Sequence, residues 1–296
     1  MDFDNMNGRL SGETLNLKIA TALALLLVCF GILYRPIIGE LAQDWLHDDN
    51  CSHGFLIVPL ALYFAWERRL KFVLAKQRPS STGAVLFAPA ILAAALNMHP
   101  FVNRIAMLLC VVGAVVFLCG WARLKVMFFP IAFLLLMIPI PAVIFNPLTF
   151  PLQLLASRFG ELVLVACRVP VLREGNIMQL ANTSLEVAEA CSGIRSLISL
   201  LTLAIVYGYF VESRIWVRIA LAIAAVPVAI ASNAIRVAGT GLAAHFYGAE
   251  AAEGFFHSFS GWLVFIVAFV LLFALHRVLL LFLAARKAAE GAMESP

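Results

Sequence analysis

Charge is scarce in this sequence. Of 296 residues only 13% are Asp, Glu, Lys or Arg, while 63% are hydrophobic and the mean hydropathy is +0.96. A soluble domain of this length carries about a quarter charged residues, so a water-soluble globular fold is excluded. No basic stripe is interleaved with exposed aromatics, which sets nucleic acid aside as a partner. The six cysteines have no paired spacing, so neither a disulfide framework nor a zinc ribbon is encoded, and no cofactor is expected. A small-residue cleavage site is also missing after the first apolar run. Tyr34-Arg35-Pro36 follows it instead, so the run reads as a retained span and not a signal peptide.

What is present is a succession of long apolar runs from Leu17 to Leu283, the signature of an all-α polytopic membrane protein. About eight transmembrane helices are expected, near 17–34, 54–66, 83–98, 104–120, 124–141, 192–211, 217–232 and 258–281. The basic residues of the short connections set the orientation. With the N-terminus inside, 14 of the 21 Lys and Arg face the cytoplasm, five of them in "ERRLKFVLAKQR". The tails 1–16 and 284–296 are then both cytoplasmic, flanking a single transmembrane domain over 17–283.

Two segments depart from simple spans. The stretch 142–169 carries Asn146, Thr149, Gln153, Ser157, Glu161 and Arg168 at spacings of three, four or seven, a polar stripe on an apolar helix. That pattern suits an interfacial or re-entrant helix, or one lining a polar groove; the outer interface is the preferred reading. Residues 171–190 are the main polar stretch after the N-terminal region. Turn formers at Ala181-Asn182-Thr183-Ser184 predict a small extracytoplasmic hairpin that delivers the chain into Cys191.

This topology brings three uncommon residues to the outer membrane surface. Cys191 opens the sixth span, Arg236 in "ASNAIRVAG" follows the outer end of the seventh, and His257 in "GFFHSFSGW" precedes the eighth. Their chemistry is complementary. An ordinary thiol is only a few per cent thiolate at neutral pH. The positive end of a helix dipole and a nearby guanidinium or imidazolium both favour the thiolate. His257 is then a candidate acid and base. Arg236, with the N–H groups of Ser192 and Gly193, is a candidate oxyanion partner. Arg195, one turn deeper, stands where an arginine is expensive and seldom idle.

Plainer readings exist for each. A membrane cysteine is usually small, buried and inert, which is the reading for Cys29, Cys110, Cys119 and Cys167. Arg236 taken alone is equally a snorkelling side chain, and His257 an interfacial one beside Phe255 and Phe256. A second cluster, "WLHDDNCSHGFLIVPL", offers His47, Asp48, Asp49, Cys51 and His53 without a known metal-ligand spacing, and reads better as an acidic outer loop. Cys51 and Cys191 share the expected outer face, and a disulfide between them would disable the nucleophile.

Taken together, "EACSGIRSL", "SNAIRV" and "FHSFSGW", preceded by "SHGFLIVPL" and "MIPIP", resemble the exosortase/archaeosortase family of membrane transpeptidases, over about residues 40 to 283. The resemblance implies that Cys191 is the nucleophile, Arg236 its oxyanion or thiolate partner and His257 the third catalytic residue, with Asn233, Ser192 and Gly193 matching the surrounding pattern. It implies a site on the extracytoplasmic face of a bacterial inner membrane. The implied partners are C-terminal sorting tails, made of a Pro-Glu-Pro-type signal, a hydrophobic helix and a basic cluster, and an acceptor nucleophile. Such enzymes are often linked to exopolysaccharide systems. The chain resembles the short form, without a soluble C-terminal domain. Substrate-binding candidates are His53, Gln153, Glu161 and Glu189. A rival from another class is a transporter or polysaccharide-export subunit, with Arg195, Arg236 and the polar stripe lining a path for an anionic substrate.

Overall fold

The computed structural model describes residues 3–48, 51–181, 184–186, 194–248 and 255–293; at 3–20, 22, 23, 142, 145, 146, 148, 149, 185, 186, 194–196, 255–261 and 287–293 it describes the backbone alone. The described chain is mostly helical and divides into two compact units, Met1–Ile140 and Pro141–Pro296.

In the first unit, α1 (Phe3–His47) runs unbroken through Pro36, where the sequence reading ends the first span. Proline removes one i→i−4 bond and tends to kink a helix. Here Tyr34, Ile37 and Leu41 are buried on either side of it, and the Tyr34 hydroxyl donates to the Ala90 carbonyl (3.2 Å), so packing carries the helix across. The helices α2 (Gly54–Glu67), α4 (Thr82–Ala95) and α5 (Pro100–Cys119) match expected spans, and the short α3 (Arg69–Leu74) holds the basic connection. The fifth expected span is divided into α6 (Trp121–Phe133) and a 3-10 turn, Leu134–Met137. α4 and α5 approach so closely that a Cβ at Gly83 or Gly113 would collide with the facing backbone. Phe64 of α2 is fully buried against Phe129 and Phe133 of α6, with ring centroids 5.2 Å apart in both pairs.

The two ends of this unit differ in charge. One end gathers Arg68, Arg69, Lys71 and Arg123; Arg68 donates to the Val126 carbonyl (3.2 Å) and Arg123 to that of Ala75 (3.3 Å). The other end holds Asp44, Asp48 and His53, with Asp44 paired to the buried Arg104 at 2.6 Å.

The second unit begins with α7 (Ala142–Ala166), followed by β1 (Val171–Glu174), β2 (Ile177–Leu180) and β3 (Ser184–Glu186). Where a hairpin is expected, the chain forms a three-stranded antiparallel meander in the order β1-β2-β3. Alternation along β2 turns Met178 and Leu180 inward. Then come α8 (Ile194–Val211), α9 (Ile215–Tyr247) and α10 (Phe255–Met293).

The seventh expected span, 217–232, is too short. α9 continues to Tyr247 and stops before Gly248, whose φ is +89°. Arg236 therefore lies within a helix and not in the loop beyond one. The continuation is rich in Ala and Gly and packs along α7, which sustains the helix beyond its most apolar part. α10 likewise outruns the expected 258–281 at both ends. Two cores hold the unit together. One joins α7, the sheet and the end of α9 through Ala156, Leu164, Met178, Val237 and Ala244. The other joins α8, α9 and α10 through Leu200, Ala204, Leu221, Ala225, Ala268 and Leu272.

Candidate functional site

Polar residues in the second unit concentrate on one length of α9 and on the face of α7 packed against it. Ser232, Asn233 and Arg236 on α9 are all buried, as are Gln153 and Ser157 on α7. The helices touch through glycines: a Cβ at Gly160 would come 2.9 Å from Val237 Cγ1, and one at Gly241 would come 2.9 Å from Leu164 Cδ1. These pairs advance together along both chains, so α7 and α9 run parallel here. The second half of α7 buries Gln153 and Ser157 of the polar stripe, while Glu161 is partly exposed and Arg168, beyond the helix, is exposed. Asn146 and Thr149 have only their backbone described.

The sheet is strapped to the same stripe. The Ser157 hydroxyl is 3.0 Å from both the Leu154 and Gly175 carbonyls, and its single proton serves one at a time. Arg173 Nε donates to Glu161 Oε2 (2.7 Å), and its Nη1 donates to the Gly175 carbonyl (3.0 Å). Glu161 is thus engaged by Arg173, and Gln153 sits inside the helix pair. Both side chains have structural work in addition to any contact with a ligand.

Cys191, Ser192, Gly193 and Glu189 lie outside the described residues. Arg195 and His257 are described by backbone only, in the first turns of α8 and α10. Their heights can still be compared. The three-residue connection Glu212–Arg214 folds α8 back on α9, so equal counts from it put Ile194 opposite Ser232. At a rise of about 1.5 Å per residue, Arg236 stands roughly 32 Å along α9 from Ile215. His276 of α10 meets Glu212, and His257 lies nineteen residues before it, roughly 29 Å along the same direction. The start of α8, the Asn233–Arg236 turn of α9 and the start of α10 thus fall within a few turns of one height. Arg236 is 8% exposed, and a guanidinium so placed in an apolar bundle is costly unless polar groups surround it; Ser232 and Asn233, one turn earlier on the same helix, are buried at 1% and 2%.

The opposite end of these helices carries a cluster that sequence reading missed. Tyr207 Oη lies 2.8 Å from His276 Nδ1, and His276 Nε2 lies 3.6 Å from Glu212 Oε2. Glu212 Oε1 accepts from the backbone N–H groups of Ser213 (2.8 Å) and Arg214 (2.9 Å). The Arg214 N–H above all holds the Glu212 carboxyl below the usual carboxylate range, with His276 and the Ser213 N–H adding to it against the effect of burial. The available signal was a histidine inside the apolar run "LLFALHRVLLL" and a glutamate at a helix end.

In the first unit, His53 Nε2 meets the Leu136 carbonyl (3.1 Å) and Trp45 Nε1 donates to that of Met137 (2.9 Å), so both brace the 3-10 turn. Cys51 donates to Asp48 Oδ2 (3.5 Å). Burial, with Asp48 beside it, pushes its thiol up to about 12. His47 Nδ1 lies 2.9 Å from the Gln43 carbonyl, one turn back along α1. Asp49 lies outside the described residues, and among the described residues no three His, Cys, Asp or Glu gather as metal ligands.

Among the described residues four helices are long and apolar enough to cross a bilayer: Ala24–His47, Pro100–Cys119, Ile215–Tyr247 and Trp262–Arg286; Gly54–Glu67, Thr82–Ala95 and Leu197–Val211 are shorter apolar helices. Their outward side chains, such as Leu27, Ile32, Leu56, Ile223 and Leu281, are largely exposed. Apolar exteriors with polar residues turned inward define a helical integral membrane protein. Residues 45–274 match the family model described as "Transmembrane exosortase (Exosortase_EpsH)", and the chain belongs to the transmembrane exosortase family. No curated protein and no solved structure matches it.

Proposed function

We propose that the chain is a membrane-embedded cysteine transpeptidase that cuts the C-terminal sorting tails of exported proteins and passes the new carboxyl end to an acceptor. The observation that carries this reading is the common height of three helix segments: the start of α8, the Asn233–Arg236 turn of α9 and the start of α10. Family membership supplies the reaction class.

In this reading eight helices cross the membrane: α1, α2, α4, α5, α6, α8, α9 and α10. Both termini are cytoplasmic, and residues 17–283 form the catalytic domain. The charge asymmetry of the first unit supports the orientation, with the Arg68–Arg123 end inside. If the first twenty residues of α9 cross the roughly 30 Å of hydrocarbon, its last third emerges on the outer face. There α7 and the sheet cover it.

The Cys191 thiolate attacks the carbonyl carbon of the scissile peptide bond. The resulting oxyanion is held by Arg236 and by the N–H groups of Ser192 and Gly193. His257 protonates the leaving amine as the C–N bond breaks, giving a thioester and releasing the hydrophobic tail. His257 then takes a proton from the acceptor, an amine or water, which attacks the thioester and regenerates the thiol. Arg195 and Asn233 support this machinery, and Gln153, Glu161 and Glu189 receive the tail signal. A bacterial inner membrane with an outward-facing site fits such substrates, whose basic cluster stays inside.

The test is co-expression with a reporter ending in a Pro-Glu-Pro signal, an apolar helix and a basic cluster. Cleavage should be complete with the native chain and absent with Cys191→Ser, Arg236→Ala and His257→Ala at equal membrane levels. Full cleavage by Cys191→Ser would refute the nucleophile. Loss of a transported anion in Arg195→Ala, without loss of cleavage in Cys191→Ser, would favour the transporter.

A further inference from the structure

We propose that Tyr207, Glu212 and His276 form a positioning network that fixes the axial register of α8, α9 and α10, and through it the alignment of the proposed catalytic residues at the other ends of the same helices. The inference rests on the transpeptidase reading for its functional consequence, but the register itself is a property of the fold.

Tyr207 comes from α8, His276 from α10, and Glu212 from the connection between α8 and α9. His276 and Glu212 are buried, at 1% and 8% exposed, and Tyr207 is half-buried. Glu212 also fastens the start of α9, because Oε1 accepts the Ser213 and Arg214 N–H groups and its carbonyl accepts from Arg218 Nε (2.6 Å). An ionised Glu212 directs the neutral imidazole proton to Nε2, leaving Nδ1 to accept from the Tyr207 hydroxyl. The Nε2–Glu212 separation of 3.6 Å exceeds a hydrogen bond, and among the described residues Nε2 has no hydrogen-bond partner. A leucine at position 276 would avoid that deficit, so the histidine contributes something other than packing.

The apolar contacts favour the native register without securing it alone. Leu200, Leu221 and Leu272 alternate with Ala204, Ala225 and Ala268 one turn away. Sliding one helix by a turn, about 5.4 Å, exchanges leucine for alanine at these contacts and also parts the polar groups. A buried polar contact has only one partner position, and setting register is the best-attested use of such groups. His257 rides about 29 Å from this pin on α10, and Arg236 about 32 Å along α9. A slip of one turn would far exceed the ångström tolerance of catalytic geometry.

The test uses the full chain in proteoliposomes. Spin labels at Ile235→Cys on α9 and Trp262→Cys on α10, both exposed positions, report register without reference to activity. His276→Leu is expected to shift or broaden that distance by about 5 Å, and His276→Gln, which keeps an N–H toward Glu212, to restore it. In the cleavage assay His276→Leu should lower kcat about tenfold or more with KM within about twofold, with recovery in His276→Gln. Tyr207→Phe and Glu212→Gln give the same readouts with smaller perturbations, should His276→Leu fail to fold. An unchanged spin-label distance in all variants overturns the positioning role. Unchanged kcat with Cys191→Ser inactive overturns its functional consequence while leaving the transpeptidase intact. Activity in Cys191→Ser overturns the transpeptidase reading, and the spin-label distance still decides the register.

Discussion

Gly160→Ala tests the α7–α9 interface where it adjoins Arg236. The added methyl would lie 2.9 Å from Val237 Cγ1 and 3.4 Å from the Met178 sulfur. Carbon atoms rest at about 3.5–4.0 Å, so α7 must withdraw by roughly 0.6–1 Å or Val237 must leave its rotamer. Val is stiff at χ1 in a helix, so withdrawal is the easier response. Two effects oppose each other. Replacing Gly by Ala inside a helix stabilises by about 1 kcal/mol, whereas overpacking costs about 1–3 kcal/mol. The net expectation is a destabilisation of roughly 0–2 kcal/mol, a modest drop in melting temperature in micelles. Catalysis should suffer more, because Val237 adjoins Arg236 and a displacement of about 1 Å costs up to about a hundredfold. Gly241→Ala is the companion: its methyl would meet Cδ1 of the fully buried Leu164 at 2.9 Å, so a similar loss of stability is expected, with a smaller loss of cleavage because the contact lies a turn further from Arg236. Thermal unfolding and reporter cleavage read the two effects separately. Gly160→Ala with a raised melting temperature and full cleavage would refute both the tight interface and its link to Arg236.

The Glu161–Arg173 pair is partly exposed, so Arg173→Ala should cost no more than about 1 kcal/mol in thermal unfolding, while amide exchange in the β1–β2 turn rises. The depressed Glu212 carboxyl contributes stability that is fully present above its unfolded pKa and is lost as pH falls through its lower folded value; Glu212→Gln should therefore flatten the acid side of the stability profile, below about pH 4.5, measured by unfolding midpoint against pH. Cys51, with its thiol at about 12 against an ordinary 9.0, carries about a thousandfold less thiolate near neutrality; maleimide labelling should be correspondingly slow and should reach the ordinary rate in Asp48→Asn only in part, since burial is the larger cause.

Hydropathy made most helices legible because lipid and protein interior both favour apolar side chains, so composition marks the segment whatever it packs against. It failed at Pro36 and beyond position 232 for one reason. There the helix is sustained by packing partners distant in sequence, Ala90 against Tyr34 and α7 against the Ala- and Gly-rich end of α9. The meander was half legible: turn formers marked a break near 181, but the β1–β2 turn at Gly175 is held by Ser157 and Arg173, whose roles depend on tertiary placement. Arg236, Asn233, Gln153 and Ser157 stood out as polar residues in apolar runs. Their gathering on adjoining faces follows from the parallel register of α7 and α9, which no local pattern encodes.

His276 was overlooked for a different reason. One histidine in an apolar run carries no period, and its partners Tyr207 and Glu212 lie more than sixty residues away. Yet it occupies the position that a sliding bundle most needs to define. A membrane bundle lacks the hydrophobic driving force that distinguishes core from surface in water, so its register rests on packing and polar contacts. Polar groups lie toward both ends of this bundle: Ser232, Asn233 and Arg236 of α9 near one end, Tyr207, Glu212 and His276 at the other. The first group bears the proposed chemistry and the second fixes the heights from which that chemistry is presented. On this physical ground the two clusters belong to one design, although no side chain joins them.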